Sequence, residues 1–194
     1  MVEFPRVAVF DGASWTLSVR DLVAARGYRS ASGLDADVVV IAPDTDLPSA
    51  AVDAVRGGLG LVVLATGANG PDTVAPGLAD LLDRGGIRLE SPAAEGTQPI
   101  LSMGTCATKE ETAAVTDLDL LARVDPSALS GTRPLQVHAP AAVLLRTVDH
   151  RGFRGEPVAA VADLERGRIV VLSTSGAGAD ELLMSAITYA AGHL

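Results

Sequence analysis

The chain has 194 residues, of which 48% are hydrophobic and 3% aromatic, and its formal net charge is −9 at pH 7. This size supports one buried core, so we expect a single domain over residues 1–194. The acidic excess argues against nucleic-acid partners, because phosphate contacts need clustered Lys and Arg. The single cysteine excludes an intrachain disulfide framework and a Cys-rich zinc site.

The first 31 residues predict a strand, a helix and a second, short strand. Residues 6–10 (RVAVF) form the first strand, and the helical stripe over residues 15–26 ends at Gly27. Residues 28–31 form the short strand. The first apolar run is too short for a signal peptide. No apolar stretch approaches the roughly 18 residues of a membrane span. We therefore expect a cytoplasmic protein without membrane insertion.

Residues 36–65 are the stretch from which we predict the fold class. Residues 38–41 (VVVI) and 61–64 (LVVL) are apolar without alternation, which is typical of strands buried on both faces of a parallel sheet. Between them, Ser49 is placed to cap a helix that ends at Gly57-Gly58. This pattern predicts a right-handed βαβ unit.

The following residues extend the α/β pattern and then change it. We predict a helix over residues 73–83, a strand over 87–89, a strand over 99–103 and a helix over 109–122. From residue 133 onwards, short apolar runs and a turn at residues 163–167 predict antiparallel pairing. The last amphipathic pattern, over residues 179–191, predicts a terminal helix that covers the sheet.

Four segments together resemble a known family: ADVVVIAPDTDLPSAAVDAVRGGLGLVVLATG, GLADLLDRGGIRLES, AVLLRT and GRIVVLSTSG. They are similar to the non-catalytic branch of the class I glutamine amidotransferase-like superfamily. Its members occur in ABC-transporter auxiliary, gliding-motility and intraflagellar-transport proteins, and ThuA-like sugar-utilisation proteins are relatives. The resemblance implies a three-layer α/β domain with a mainly parallel, flavodoxin-like sheet. We expect an antiparallel extension over residues 133–174.

The resemblance also implies that the chemistry of active amidotransferases is missing. Active members of this fold carry a cysteine in a Gly-x-Cys-x-Gly turn after a strand and a His-x-Glu later in the chain. Here the strand at residues 61–64 is followed by ATGANG, without cysteine or serine. None of His138, His150 and His193 begins a His-x-Glu. The resemblance therefore implies a binding scaffold, not a catalyst, and no cofactor.

Ligands of open α/β sheets lie beyond the carboxyl ends of the strands, so the loops at residues 42–46 and 66–72 are the first candidates. Aspartates after strands suit a cation or sugar hydroxyls, a glycine-rich loop can hold an anion, and a tryptophan can form a platform. The candidate ligand-binding residues are Asp11, Trp15, Asp44, Thr66, Gly67 and Asn69. Asp46 is a further aspartate of this kind. Turn formation and helix packing are the structural alternatives for all of them.

No metal site is predicted, because no histidine has a second His or Cys at ligand spacing. Cys106 is the catalytic alternative. Its surroundings are compatible with a strand, a tight turn and a helix N-terminus, which would lower the thiol pKa. The structural alternative is a small buried hydrophobe.

The sequence leaves three hypotheses about function open. The favoured one is a non-catalytic binding or interaction module within an oligomer or larger assembly, with a protein partner or a small-molecule or sugar ligand at the strand-end loops. The second is an enzyme, either a Cys106-dependent hydrolase or amidotransferase, or a ThuA-like sugar-processing protein. The third is a small self-associating domain whose apolar terminal helix, ending in Tyr189, forms a dimer face.

Overall fold

The computed structural model describes residues 4–65, 74–90, 105–106, 129–131, 133–148, 154–176 and 178–192. The predicted strand at residues 99–103 and the predicted helix at 109–122 lie outside these ranges. In chain order, the elements are β1 (Arg6–Val9), α1 (Thr16–Ala25), β2 (Arg29–Ser30), β3 (Val38–Ile41), α2 (Ser49–Arg56), β4 (Gly60–Leu64), α3 (Pro76–Arg84), β5 (Ile87–Leu89), β6 (Thr105–Cys106), β7 (Leu129–Gly131), β8 (Leu135–Val137), β9 (Ala142–Val148), β10 (Arg154–Leu164), β11 (Gly167–Leu172), β12 (Thr174–Gly176) and α4 (Ala179–Ala190).

The main sheet confirms the predicted α/β class. Its eight strands have the order β2-β1-β3-β4-β11-β10-β9-β6, and two small two-stranded sheets pair β12 with β7 and β5 with β8. The pairs from β2 to β11 are parallel. The pairs from β11 to β6 are antiparallel. Thus the predicted βαβ unit is present, with Val39 of β3 beside Leu61 of β4.

The predicted boundary of the antiparallel extension needs a correction at β11. This strand lies within residues 133–174 and forms the predicted hairpin with β10, yet its other edge is parallel to β4, with Ile169 beside Leu61. Four successive residues at its carboxyl end are buried. Such a strand is apolar on both faces because it occupies the centre of the sheet. β11 of this hairpin is therefore the fifth strand of the parallel part of the sheet.

Two hydrophobic clusters explain why β3 and β4 lack alternation. Val38 and Val40 belong to the cluster under α1 and α4. Val39 and Ile41 belong to the cluster under α2 and α3. Successive side chains of a strand point to opposite faces, and here both faces are covered by helices. The result is the predicted three-layer arrangement.

The start of α2 differs from the prediction. Ser49 is the first helical residue, and Pro48, with φ −59° and ψ 146°, occupies the capping position without a side-chain hydrogen bond. The carbonyl of Pro48 accepts from the amide of Ala51 at 2.7 Å. Proline fixes φ near the helical value and makes an extended entry favourable, so the helix begins without a serine cap.

The predicted terminal helix is confirmed as α4. The prediction that its apolar side forms a dimer face is wrong, because that side is buried in the core. Its buried residues are Leu182, Leu183, Met184, Ala186, Ile187, Tyr189 and Ala190. They pack against the same cluster as β4 and β11. This face is therefore already covered by the sheet of its own chain.

The Tyr189 phenol makes folding sensitive to alkaline pH. Burial, followed by the negative charge of Asp163, raises the pKa of Tyr189 above its ordinary value of 10.0. The Arg168 guanidinium lies 4.8 Å from the ring centroid. A raised pKa in an acid means that the folded state holds the proton more tightly than the unfolded state. This contribution to stability is complete below pH 10 and is lost as the pH rises through the folded-state pKa.

We therefore predict that the free energy of unfolding, measured by urea denaturation, falls as the pH rises above about 10. Tyr189→Phe keeps the ring over Arg168 but removes the proton, so its stability should fall less over the same range. Both proteins are compared with their own values at pH 8. An equally steep loss in the variant would contradict the assignment to Tyr189.

Within the described ranges, no helix is long and apolar enough to cross a membrane.

Candidate functional site

The topology places a switch point between β1 and β3. From β1 the chain moves outward to β2, whereas from β3 it moves to β4 on the other side. Crevices at such points are the usual ligand sites of open α/β sheets. The amide of Phe10 donates to the carbonyl of Val40 at 3.0 Å, which joins the two strand ends. Asp11 follows β1 and Asp44 follows β3, as predicted.

The contacts at the switch point favour a structural role for these aspartates. Arg20 lies 3.0 Å from the Asp11 carboxylate and donates to the carbonyl of Val9 at 2.8 Å, so it holds the end of β1. After β3, the hydroxyl of Thr45 accepts from the amide of Ala42 at 3.1 Å, which forms a side-chain turn beside the exposed Asp44.

Asp11, Asp44 and Asp46 do not converge on a cation. In the part of the chain that the structure describes, no group of three or more His, Cys, Asp or Glu side chains is placed to hold a metal ion.

A cavity of about 270 Å³ lies at the carboxyl ends of β4 and β11, between α1 and α4. The strand ends contribute apolar side chains to its floor, α1 forms one wall, and the β12 segment with the start of α4 forms the other. The lining residues are Trp15, Ser18, Val19, Leu22, Leu64, Leu172, Thr174, Ser175, Gly176, Ala179, Asp180 and Leu183. Of the predicted ligand-binding residues that the structure describes, Trp15 lines this cavity.

The floor of the cavity is fixed by contacts between β4 and β11. Leu64 pairs with Leu172 in the parallel ladder. Just beyond them, the hydroxyl of the fully buried Ser173 donates to the carbonyl of Ala65 at 3.3 Å. On the other side of β11, the amide of Ser173 donates to the carbonyl of Val158 in β10 at 2.8 Å. The two strand ends are thus held together directly beneath the cavity.

The two walls are joined where the chain leaves the end of α1. Both Nη atoms of Arg26 donate to the carboxylate of Glu181. This hydrogen bond raises the pKa of Arg26 above its ordinary value, with the charge of Glu181 as the next cause. The hydroxyls of Tyr28 and Thr188 lie 2.7 Å apart. These contacts link α1 and the nearby Tyr28 to α4, so they set the separation of the walls.

The remaining predicted site residues are not part of the described cavity. Asp11 and Asp44 do not line it. Thr66, Gly67 and Asn69 lie outside the described residues. The site also includes residues that the sequence did not single out, above all Thr174, Ser175, Gly176 and Asp180. The sequence feature that could have identified them is the segment STSG (residues 173–176), whose small polar residues directly follow a buried apolar strand.

Cys106 lies in the edge strand β6, where its backbone pairs with Arg146 of β9. It is therefore in extended backbone, and the predicted placement in a tight turn is wrong. In sheet order β6 is four strands from β4. At 4.7 to 4.9 Å between neighbouring strands, this separation is about 19 Å. Cys106 is thus remote from the strand end at which the amidotransferase resemblance would place a nucleophile.

Comparison with solved structures identifies the fold. A GMP synthase-like protein from Thermoplasma acidophilum matches with a TM-score of 0.60 and 10% identity, over 100% of this chain and 97% of the other. The mmIFT52 N-terminal domain matches with a TM-score of 0.59 and 12% identity, over 95% and 96%. The fold is glutamine amidotransferase-like. No family model matches the sequence, and the search of curated proteins found no match.

One of the similar solved structures is a larger enzyme, of which only a part matches this chain. The β-galactosidase from Rahnella sp. R3 matches with a TM-score of 0.63 and 13% identity. The match covers 97% of this chain but 31% of the enzyme, so the chain spans about a third of its length. At such identities the likeness shows the fold alone.

Proposed function

We propose that this amidotransferase-like chain is a non-catalytic binding module whose ligand occupies the cavity between α1 and α4. The observation that carries the proposal is the cavity itself, which opens at the carboxyl ends of β4 and β11 and includes the only tryptophan of the sequence. Mostly apolar walls with a few converging polar groups are the usual composition of a small-molecule site.

The sequence around β4 supports binding without catalysis. Residues 65–73 read ATGANGPDT and contain neither cysteine nor serine, although an active amidotransferase would carry its nucleophile after this strand. Cys106 is about four strand spacings away. The match to one third of a β-galactosidase is compatible with a module that works inside a larger assembly.

The test uses Trp15, whose fluorescence reports on the cavity because no other tryptophan contributes. The protein is titrated with a panel of saccharides, nucleotides, amino acids and quaternary amines, and the melting temperature is measured in parallel. We expect at least one compound to change the emission of Trp15 and to raise the melting temperature by mass action.

Two phenylalanine variants on α1 locate the binding. Ser18 lines the cavity, so Ser18→Phe should block it and abolish both signals. Ala24 is exposed on the same helix and does not line the cavity, so Ala24→Phe is the matched control and should bind normally. Equal binding by both variants, or no response to any compound, would contradict the proposal.

A further inference from the structure

We infer that the ligand of this cavity is an organic cation, in which a protonated or quaternary amine interacts with Asp180 and Trp15 and an apolar ring or short chain contacts the cavity floor. This inference rests on the proposed function and names the ligand class. It depends on three features of the cavity: the charge of its lining, the aromatic side chain in its wall, and its apolar floor.

The lining of the cavity carries a negative charge. Among the described residues that line it, Asp180 is charged and no Lys, Arg or His is present. An aspartate carboxylate accepts hydrogen bonds but does not donate them. A protonated amine donates hydrogen bonds and has the opposite charge, whereas a carboxylate or phosphate on the ligand would be repelled. The lining therefore favours a cation and disfavours an anion.

The groups around Asp180 preserve this negative charge. Asp180 and Glu181 both lie in the first turn of α4, and Glu181 accepts the hydrogen bonds of Arg26. The hydrogen bond and charge of Glu181 are the main causes that raise the pKa of Arg26, and the charge of Asp180 is a smaller one. Two carboxylates and one guanidinium leave one negative charge, of which the N-terminus of α4 offsets roughly half. The net charge of −9 adds a field that attracts cations.

Trp15 supplies the second interaction with a cation. It is partly buried at the start of α1 and lines the same cavity as Asp180. The face of an aromatic ring is negative, and among aromatic side chains tryptophan attracts cations most strongly. A carboxylate and an indole ring in one cavity therefore both favour a cation over a neutral molecule of the same shape.

The rest of the cavity requires an apolar part in the ligand. Leu64 and Leu172 lie at the floor, and Leu22 and Leu183 line the walls. A bare metal ion gains nothing from these side chains, whereas a ring or hydrocarbon chain is removed from water by them. The volume of about 270 Å³ lies just below the usual range for drug-sized ligands, which suits a single ring with a short chain.

The experiment compares three probes that share a phenylethyl body and differ in charge. They are phenethylamine, which is protonated at neutral pH, phenethyl alcohol, which is neutral, and hydrocinnamate, which is an anion. Affinities are measured by Trp15 fluorescence and by calorimetry. Phenethylamine should bind about tenfold more tightly than phenethyl alcohol, and hydrocinnamate should bind more weakly than either. Added salt should weaken the binding of phenethylamine but not of phenethyl alcohol.

Two variants separate the contributions of the carboxylate and the indole. Asp180→Asn should lower the affinity for phenethylamine about fivefold and leave that for phenethyl alcohol unchanged. Trp15→Leu keeps an apolar contact but removes the aromatic face, so in calorimetry it should weaken the binding of phenethylamine more than that of phenethyl alcohol.

Asp53→Asn is the matched control for Asp180→Asn. Asp53 is exposed on α2, which packs on the other face of the sheet, and it does not line the cavity. The control removes the same charge from the chain, so it should keep the affinity for both probes. An equal loss of phenethylamine binding in both variants would overturn the role of Asp180.

Equal affinities for phenethylamine and phenethyl alcohol would overturn the inference. If Asp180 served the helix dipole alone, Asp180→Asn would lower the melting temperature and leave the phenethylamine affinity unchanged, which would also overturn it. In either case, binding of another compound that Ser18→Phe blocks would leave the binding module intact. No response to any compound would overturn both the inference and the proposed function.

Discussion

Leu182→Ala is expected to lower the free energy of unfolding by about 2 to 5 kcal/mol, as for other buried leucines. Leu182 is fully buried in α4 and belongs to the cluster that joins this helix to β4 and β11. Truncation removes apolar contacts and leaves a void that a close-packed core fills only in part. Urea denaturation followed by circular dichroism measures the loss.

Leu17→Ala is the control for this prediction. Leu17 lies on α1 with 73% of its surface exposed, so the same chemical change should alter stability by about 0.5 kcal/mol or less. A similar cost at both positions would mean that α4 does not pack on the sheet as described.

Gly167→Ala is expected to destabilise the protein by about 1 to 3 kcal/mol or more, because overpacking forces the backbone to move. A Cβ at Gly167 would overlap the Val55 carbonyl oxygen and would lie 2.7 Å from the carbonyl carbon. These are backbone atoms at the end of α2, next to the bond from the Arg166 amide to the Arg56 carbonyl at 3.2 Å. Neither side can yield as a flexible side chain would.

The matched substitution is Gly77→Ala in α3, where the nearest atom to a new Cβ is the Leu47 carbonyl oxygen at 3.8 Å. Alanine is a better helix former than glycine, so this variant should be more stable by about 0.5 kcal/mol. Opposite signs for the two substitutions, measured by thermal and urea unfolding, would confirm the close approach at Gly167. Equal small effects would contradict it.

The central parallel strands β3 and β4 could be predicted from the sequence because their burial on both faces requires an uninterrupted apolar run. β3 has the predicted bounds, and β4 differs by one residue, since strands buried on both faces must be apolar throughout. The position of β11 could not be predicted in this way. An apolar run in a hairpin is equally suited to an edge or a centre, and its partner β4 is distant in the chain.

The same limit applies to the candidate site. Trp15 was predicted from its place after β1, which is local information. Thr174 and Asp180 line the cavity because β11 pairs with β4 and because α4 packs next to α1. The ion pair between Arg26 and Glu181 is a direct contact between these two regions. Cys106 was misplaced for a related reason, because pairing with β9 gives it an extended backbone. Cytoplasmic localisation and self-association stay predictions.

The insertion of β11 beside β4 has a consequence for synthesis on the ribosome. Roughly 100 residues separate the two strands, and at about 5 to 20 residues per second their translation takes about 5 to 20 s. Throughout this time, one side of β4 has unpaired amide and carbonyl groups next to apolar side chains, a surface that templates aggregation. Nascent chains that stop before Gly167 should therefore depend on chaperones that shield this edge until translation of β11 is complete.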